Sequence, residues 1–319
     1  MGARSIKDLP MNFHVDSHYL IGSSHSVCED YAFHTGFNAK KDGELIQVCP
    51  VAVIADGCSD SQESDIGARI MAHFVKQKMF ESFLCGSLNT NSFFKERFAL
   101  FANHLREKMC EMNLPSIKSI GLPSESLDAT VWIMGAETGD NGSDAVVAVG
   151  GWGDGSAIVK RKSGITIYCV TYESSAPFYL SYDLDYHRTQ RYLKTFQNTY
   201  LLSTVIIKLD GTSSMIHEEC SCNKHFTLQV LDNIDDPVIS VSICSDGYKT
   251  YTNITEPFLG SLEWAATRMI DYPTIEGVFV ERSMRFLEKQ DIKNGIHHFD
   301  DISMASIAFN APNLPRSEA

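Results

Sequence analysis

Apolar residues in this chain follow two rhythms, one unbroken or alternating, the other recurring every three to four positions. Val51-Ala-Val-Ile-Ala55 is an unbroken apolar run that stops at Asp56-Gly57. That is the pattern of a strand buried on both faces. Further runs at Ala129–Met134, Ala145–Val149, Ser156–Lys160, Ile165–Val170, Leu201–Lys208 and Val238–Cys244 predict strands. In the last of these Ile239, Val241 and Ile243 share one face. Phe13-His-Val and His18-Tyr-Leu-Ile predict an edge strand. Turn residues separate the runs at Asp140-Asn-Gly, Gly150 to Gly155, Lys162-Ser-Gly and Asp210-Gly. Helical spacing places Ile66, Ile70, Phe74 and Val75 on a helix continuing to about Leu84, entered through the acidic and serine residues 59–65. A second helix is predicted from Phe93 to about Met112, with Phe94, Phe98, Phe101, Leu105 and Met109 on its apolar stripe. Two more are predicted at Leu262–Ile270 and Thr274–Lys289. Residues 173–200, rich in tyrosine and with Arg188, Arg191 and Lys194, read as an irregular flap, and residues 212–236 show no clear pattern.

Consecutive short strands over 129–172 suit hairpins, and the helices fall between or after the strand groups. The expected class is α+β: a β-sandwich of two antiparallel sheets flanked by α-helices. No repeat or linker divides the chain. One domain is expected over 15–309, after an N-terminal segment 1–14 and before a tail 310–319.

The net charge of −13 disfavours a nucleic-acid partner, which needs lysine and arginine to neutralise phosphates. No apolar run of about 18 residues predicts a membrane span, and the first residues lack the apolar core of a signal peptide. With nine scattered cysteines, an odd number, reduced thiols and a cytoplasmic location are expected. Cys220-Ser-Cys222 lacks a second pair to complete a zinc set, and His297-His298 would point apart on a strand.

Candidate chemistry lies in the carboxylates. Glu29/Asp30, Asp56, Asp154, Asp246 and Asp300/Asp301 stand at predicted strand ends or tight turns. Each alone reads equally as a surface turn. Together they suggest convergence on one place, where like charges need cations between them. All-oxygen donors without a convincing His/Cys set point to Mg²⁺ or Mn²⁺. Gly57 would let its carbonyl approach such an ion.

In order, Glu29-Asp30, Val53-Ile-Ala-Asp56-Gly57, Asp128-Ala-Thr130, Gly150 to Asp154, Cys244-Ser-Asp246-Gly247 and Asp300-Asp301-Ile-Ser resemble the motifs of the metal-dependent type 2C protein phosphatase family. The resemblance covers roughly residues 15–309. It implies the same sandwich, with two metal ions at one end and a third in some members, and hydrolysis of phosphoserine or phosphothreonine in a phosphoprotein by metal-activated water. Carried over, Asp56 would bridge both ions and the Gly57 carbonyl would ligate one. Asp246 and Asp300 would complete that ion's shell, and Glu29, supported by Asp30, would hold the other. Asp154 matches the ligand of the third ion.

This chain departs from the family where many members have a phosphate-binding arginine, which is His25 here. Arg188, Arg191 or Lys194 are candidates to replace it. Cys58 stands in place of a His or Met, and Asp301 in place of an Asn whose change could alter the metal shell. The resemblance is therefore to a divergent, bacterial or phage-like member. Cys58 reads either as a redox-sensitive thiol or as an inert small residue. The rival to an enzyme is a catalytically silent phosphatase-fold module that binds a phosphoprotein or signalling partner. Substrate identity and oligomeric state are not legible.

Overall fold

The computed structural model describes residues 13–41, 44–84, 101, 105, 107–109, 114–138, 145–196, 199–221, 225–233, 235–253 and 262–309. The run at 51–55 lies inside β3 (Glu44–Gly57), flanked by β2 (Asp30–Lys41) and β4 (Ala129–Thr138). With β5 (Ala145–Trp152) and β10 (Phe226–Leu231) these form a five-stranded sheet in the order β10-β5-β4-β3-β2, every pairing antiparallel. The other large sheet joins the two ends of the described chain. It contains β1 (Phe13–Leu20), β6 (Gly155–Arg161), β7 (Gly164–Tyr172), β8 (Thr199–Lys208), β9 (Ser213–Ser221), β11 (Val238–Cys244) and β14 (Ile302–Phe309). Their order is β1-β14-β11-β6-β7-β8-β9, again antiparallel throughout. A short pair, β12 (Tyr251–Asn253) and β13 (Ile296–His298), lies apart.

Alternation within the unbroken run explains its composition. Ala52 and Ile54 enter the cluster between the sheets, with Trp132, Met134, Ile243 and Ile307. Val51, Val53 and Ala55 face outward onto Ala68, Met71, Ala72 and Val75 of α1 (Ser64–Leu84). A strand covered on both sides has no polar face, and each large apolar side chain buried contributes roughly 1.5–3 kcal/mol. A third cluster packs α4 (Leu262–Met269) and α5 (Phe279–Lys293) on Ile158, Ile167 and Met304 of the larger sheet. The expected sandwich of antiparallel sheets with helices outside is therefore what the chain forms.

Several local expectations are corrected. The strand that opens the larger sheet starts at Phe13, inside the segment set apart as N-terminal. In β11 the pairing to β6 shifts between Val238 and Ser240, so Ile239 turns outward while Ser240 to Cys244 are buried. Residues 213–221 and 226–231, left without a pattern, are strands. All of β9 but its last two residues is exposed, so it carries no apolar alternation and exists through pairing with β8. Within 173–200 lies α3 (Tyr186–Thr195), capped by Asp185, whose carboxylate accepts from His187 N at 2.8 Å. The last helix starts at Phe279 rather than Thr274, and α2 (Leu114–Ser119) lies beyond the second predicted helix. Of that second helix most positions, Phe94 and Phe98 among them, lie outside the described residues; Phe101, Leu105 and Met109 are buried as its stripe requires. No described helix is long and apolar enough to cross a membrane.

One buried carboxylate holds a helix to the larger sheet. Asp16 on β1 is 1% exposed, and its Oδ2 accepts from Val280 N (2.6 Å) and Glu281 N (3.1 Å) in the first turn of α5. It caps this helix from another strand, since Val278 at the cap position supplies no side-chain bond. Asp16→Ala leaves those N–H groups without an acceptor. It should destabilise the fold by about 1–3 kcal/mol in urea unfolding, with Asp16→Asn costing less.

Candidate metal centre

Antiparallel pairing brings the ends of distant strands together at one edge of the sandwich. Asp30 opens β2 and pairs directly with Asp56 near the end of β3, and Asp56 also faces Thr130 at the start of β4. In the larger sheet β11 ends at Cys244, opposite Ser156 on β6 and Met304 on β14. Asp154 before β6, Asp246 after β11 and Asp300 before β14 therefore stand at the same edge. Hydrogen bonds join the sheets there. Ser245 Oγ donates to Asp30 Oδ2 (2.7 Å), Thr130 Oγ1 donates to Asp154 Oδ1 (2.9 Å), and Trp132 Nε1 donates to the Asp154 carbonyl (2.7 Å).

The carboxylates feel one another. Asp56 is held well above the usual carboxylate range, first by burial and then by the charges of Asp30, Asp246, Asp154 and Asp300. Burial also pushes Asp30 up to about 7, against the relieving bond from Ser245 and with the charge of Asp301. Asp154 is pushed up to about 6 by burial and then by Asp246. Burial raises Asp300 as well, reinforced by Asp246 and offset by His25. Asp30 Oδ1 and Glu29 Oε2 are buried with no hydrogen-bond partner. Ionised carboxylate oxygens can only accept, so orphaned ones at a crowded acidic edge fit a hard cation. Among the described residues, however, no three His, Cys, Asp or Glu side chains converge as a finished ligand cage. The donor chemistry fits an ion, and the side chains around it are not closed.

Around this edge several residues have packing and tethering contacts that the sequence did not show. Gly57 is still within the strand, paired with Ala129. A side-chain carbon on it would lie 2.8 Å from the Ser64 carbonyl oxygen, so glycine is what lets the first turn of α1 pack against the strand end. From that turn Ser64 Oγ donates to Glu29 Oε1 (2.7 Å). Asp301, expected as an alteration of the metal shell, is 2% exposed and accepts from Gly22 N (2.6 Å) and Glu29 N (2.5 Å). It ties the 22–29 loop to the start of β14. A side-chain carbon on Gly247 would fall 1.7 Å from the Asp301 carbonyl oxygen, so Asp246-Gly247 packs directly on the same residue.

His25 sits between two carboxylates, with Nδ1 3.0 Å from Asp301 Oδ2 and Nε2 3.6 Å from Asp300 Oδ1. The shorter contact is an ion-pair distance without hydrogen-bond alignment. Burial works against the imidazolium, but Asp301, Asp300 and Glu29 raise its pKa overall. Arg188, a candidate for phosphate, is committed elsewhere. Its Nη2 donates to Asp128 Oδ2 (2.5 Å) and its guanidinium lies 4.7 Å from the Tyr182 ring centre. Arg191 and Lys194 are exposed on α3. Asp128 also accepts from Ser181 Oγ (2.6 Å), and its carbonyl accepts from Cys58 N (3.0 Å).

Lys249 was not singled out in the sequence. It lies in the short 3-10 turn Asp246–Thr250 and is partly buried. Burial opposes its charge, yet Cys169, Asp246 and Asp154 raise its pKa overall, so an ammonium accompanies the carboxylates. Its signal was its place three residues after Asp246.

A bacterial serine phosphatase aligns over 93% of this chain and 98% of its own, with 14% identity and a TM-score of 0.49. The serine/threonine phosphatase Stp1 from Staphylococcus aureus aligns over 93% and 95%, with 12% identity and a TM-score of 0.44. The PP2C phosphatase domain of SpoIIE from Bacillus subtilis, with a fragment of its regulatory domain, aligns over 94% and 64%, with 11% identity and a TM-score of 0.47. These neighbours are phosphatases. No protein-family model and no curated sequence matches the chain. At such identities and TM-scores the likeness assigns no residue a role.

Burial, and then crowding, sets a pH dependence for the metal-free chain. Asp30, Asp56 and Asp154 have folded-state pKa values above those of free carboxyls, so the folded state holds more protons than the unfolded one. Stability from these groups is present below about pH 4 and is lost as pH rises through about 6 to 7. Urea midpoints in EDTA should therefore fall across that window, and Asp30→Asn should flatten the fall.

Proposed function

We propose that the chain is a divergent metal-dependent type 2C protein phosphatase that hydrolyses phosphoserine or phosphothreonine in a phosphoprotein. The observation that carries this reading is the meeting of Asp30, Asp56, Asp154, Asp246 and Asp300 at one edge of two antiparallel sheets, with buried carboxylate oxygens left unpartnered. Two Mg²⁺ or Mn²⁺ ions held there would polarise the phosphoryl group and activate water. In this reading Asp56, Asp246, Asp300 and the Gly57 carbonyl would hold one ion, and Glu29 with Asp30, together with Asp56, would hold the other. Asp154 is the candidate ligand of a third ion. Lys249 already offsets the charge of Asp154 and Asp246, which weakens that third site. His25 contributes a ring whose pKa Asp301, Asp300 and Glu29 raise against the effect of burial. Its Nε2, at 3.6 Å from Asp300, is loosely held and can turn to a phosphoryl oxygen.

Two observations favour the silent-module alternative: the unclosed carboxylate set, and the lysine placed among the carboxylates. Calorimetric titration with Mn²⁺, followed by turnover of a phosphothreonine peptide, separates them. The phosphatase reading expects Mn²⁺ binding and Mn²⁺-dependent turnover. Asp246→Asn should lower that turnover by roughly a hundredfold or more while leaving the circular dichroism spectrum unchanged. Mn²⁺ binding without turnover in the unmutated chain would select the silent module.

A further inference from the structure

A cavity of about 160 Å³ opens between the β12–β13 pair, the second half of α5 and the residues that follow β1. Ile21 and Ile292, both exposed, are apolar residues of its lining, and Tyr251, Glu288, Asp291 and His298 are polar ones. Asp291 is the deepest of these, at 2% exposed. Its Oδ1 accepts from Arg268 Nη2 on α4 at 2.5 Å, and its Oδ2 is buried with no hydrogen-bond partner. Arg268 does not line the cavity, and its guanidinium lies 4.3 Å from the Trp264 ring centre. The carboxylate therefore stands between the guanidinium and the cavity, with one oxygen committed and the other free.

The polar groups whose roles are fixed by their bonds are acceptors toward this cavity. Glu288 adds a second carboxylate one turn before Asp291, on the same face of α5. His298 Nδ1 lies 2.8 Å from the Asp300 carbonyl oxygen, which can only accept, so Nδ1 carries a proton and the neutral ring presents a lone pair at Nε2. Ser23, also in the lining, spends its hydroxyl proton on the His298 carbonyl at 2.9 Å. Tyr251 adds an aromatic wall, its ring set edge-on to Trp264 and His298 with centres 5.8 and 5.6 Å apart. Two carboxylates and these lone pairs repel an anion. Among the described residues no three His, Cys, Asp or Glu side chains converge on a metal ion, so the acceptors are spaced for a larger cation. An ammonium group has three donors and no acceptor, and an aromatic ring beside it adds attraction.

We propose that this cavity binds a primary alkylammonium ion, whose N–H groups donate to Asp291 and Glu288 while its carbon chain lies along Ile21, Ile292 and Tyr251. A cavity of similar volume holds one benzene ring, so the occupant has about six non-hydrogen atoms. A small free amine and the lysine side chain of a partner protein share this chemistry. The site is separate from the acidic edge and does not depend on the phosphatase reading. Its probe is n-butylammonium, titrated into the full chain in EDTA and followed by the amide NMR shifts of the protein. Binding should saturate with a Kd on the order of 1 mM, with the largest shifts around Tyr251, Asp291 and His298. n-Butanol, which keeps the chain and lacks the charge, should bind at least about tenfold more weakly. Asp291→Asn strips Arg268 of its partner and endangers the fold, so the deciding variant is Glu288→Gln at a half-buried position. It should raise the Kd about fivefold with Tm unchanged. Nα-acetyl-lysine methylamide binding as well as n-butylammonium assigns the site to a partner's lysine, and binding of n-butylammonium alone assigns it to a free amine. No saturation by either ammonium up to about 20 mM overturns the inference. So does an equal Kd for n-butanol, an unchanged Kd in Glu288→Gln, or shifts centred on Asp30 and Asp246 instead.

Discussion

Burial of Asp30 beside Asp56 is the constraint around which the rest of this edge is arranged. Their strands pair residue for residue up to these two positions, so the sheet itself presses two carboxylates together. Nothing in strand pairing favours that, and burial makes it worse by removing the water that would screen them. The surroundings respond in two ways. Hydroxyls from Ser245, Thr130 and Ser64 each donate to one carboxylate oxygen, and protons are retained at pH values where free aspartates have lost them. Neither response satisfies Asp30 Oδ1 or Glu29 Oε2. An ordinary packed edge would not keep such groups, because apolar residues of similar size would cost less.

A second tier of charges holds the first in place. Asp301, Asp128 and Asp16 are buried like Asp30, yet each meets donors on one or two sides: backbone N–H groups for Asp301 and Asp16, Arg188 and Ser181 for Asp128. These three hold a loop, a flap segment and a helix to the sheets. Buried carboxylates here thus divide into paired ones that fix structure and crowded ones, such as Asp30 and Glu29, that a hydroxyl meets on one oxygen only. The division by partner, rather than by burial, separates candidate chemistry from architecture.

The sequence made the sandwich legible because its central strands carry pattern: five consecutive apolar residues in β3 require cover on both faces, and α1 and the opposing sheet provide it. It also made the acidic positions legible, since Asp56, Asp154, Asp246 and Asp300 all follow or precede such runs. Which carboxylate did what was not legible. Asp300 and Asp301 are adjacent and chemically identical, and only the backbone direction into β14 sends one to the edge and the other to Gly22 N and Glu29 N. The pairing of Arg188 with Asp128 was hidden for the same reason, because the two are distant in sequence and close only after folding. The polar strand β9 has no core-facing side to announce it.

What the fold adds is a linkage between the flap and the edge. Residues 176–182 touch the site through Asp128, and Asp128 is held by an ion pair that is itself mostly removed from water. Such a pair is strong only while both partners are present, and losing either leaves an uncompensated buried charge. Apolar packing alone would let the segment slide by small repacking steps. A fork of two short bonds to one carboxylate admits far fewer positions. Ser181 is therefore held by the Asp128 carboxylate, and Cys58 N by the carbonyl of the same residue. The chain that follows Asp56-Gly57 and the segment that leads into α3 are thus set by the same anchor.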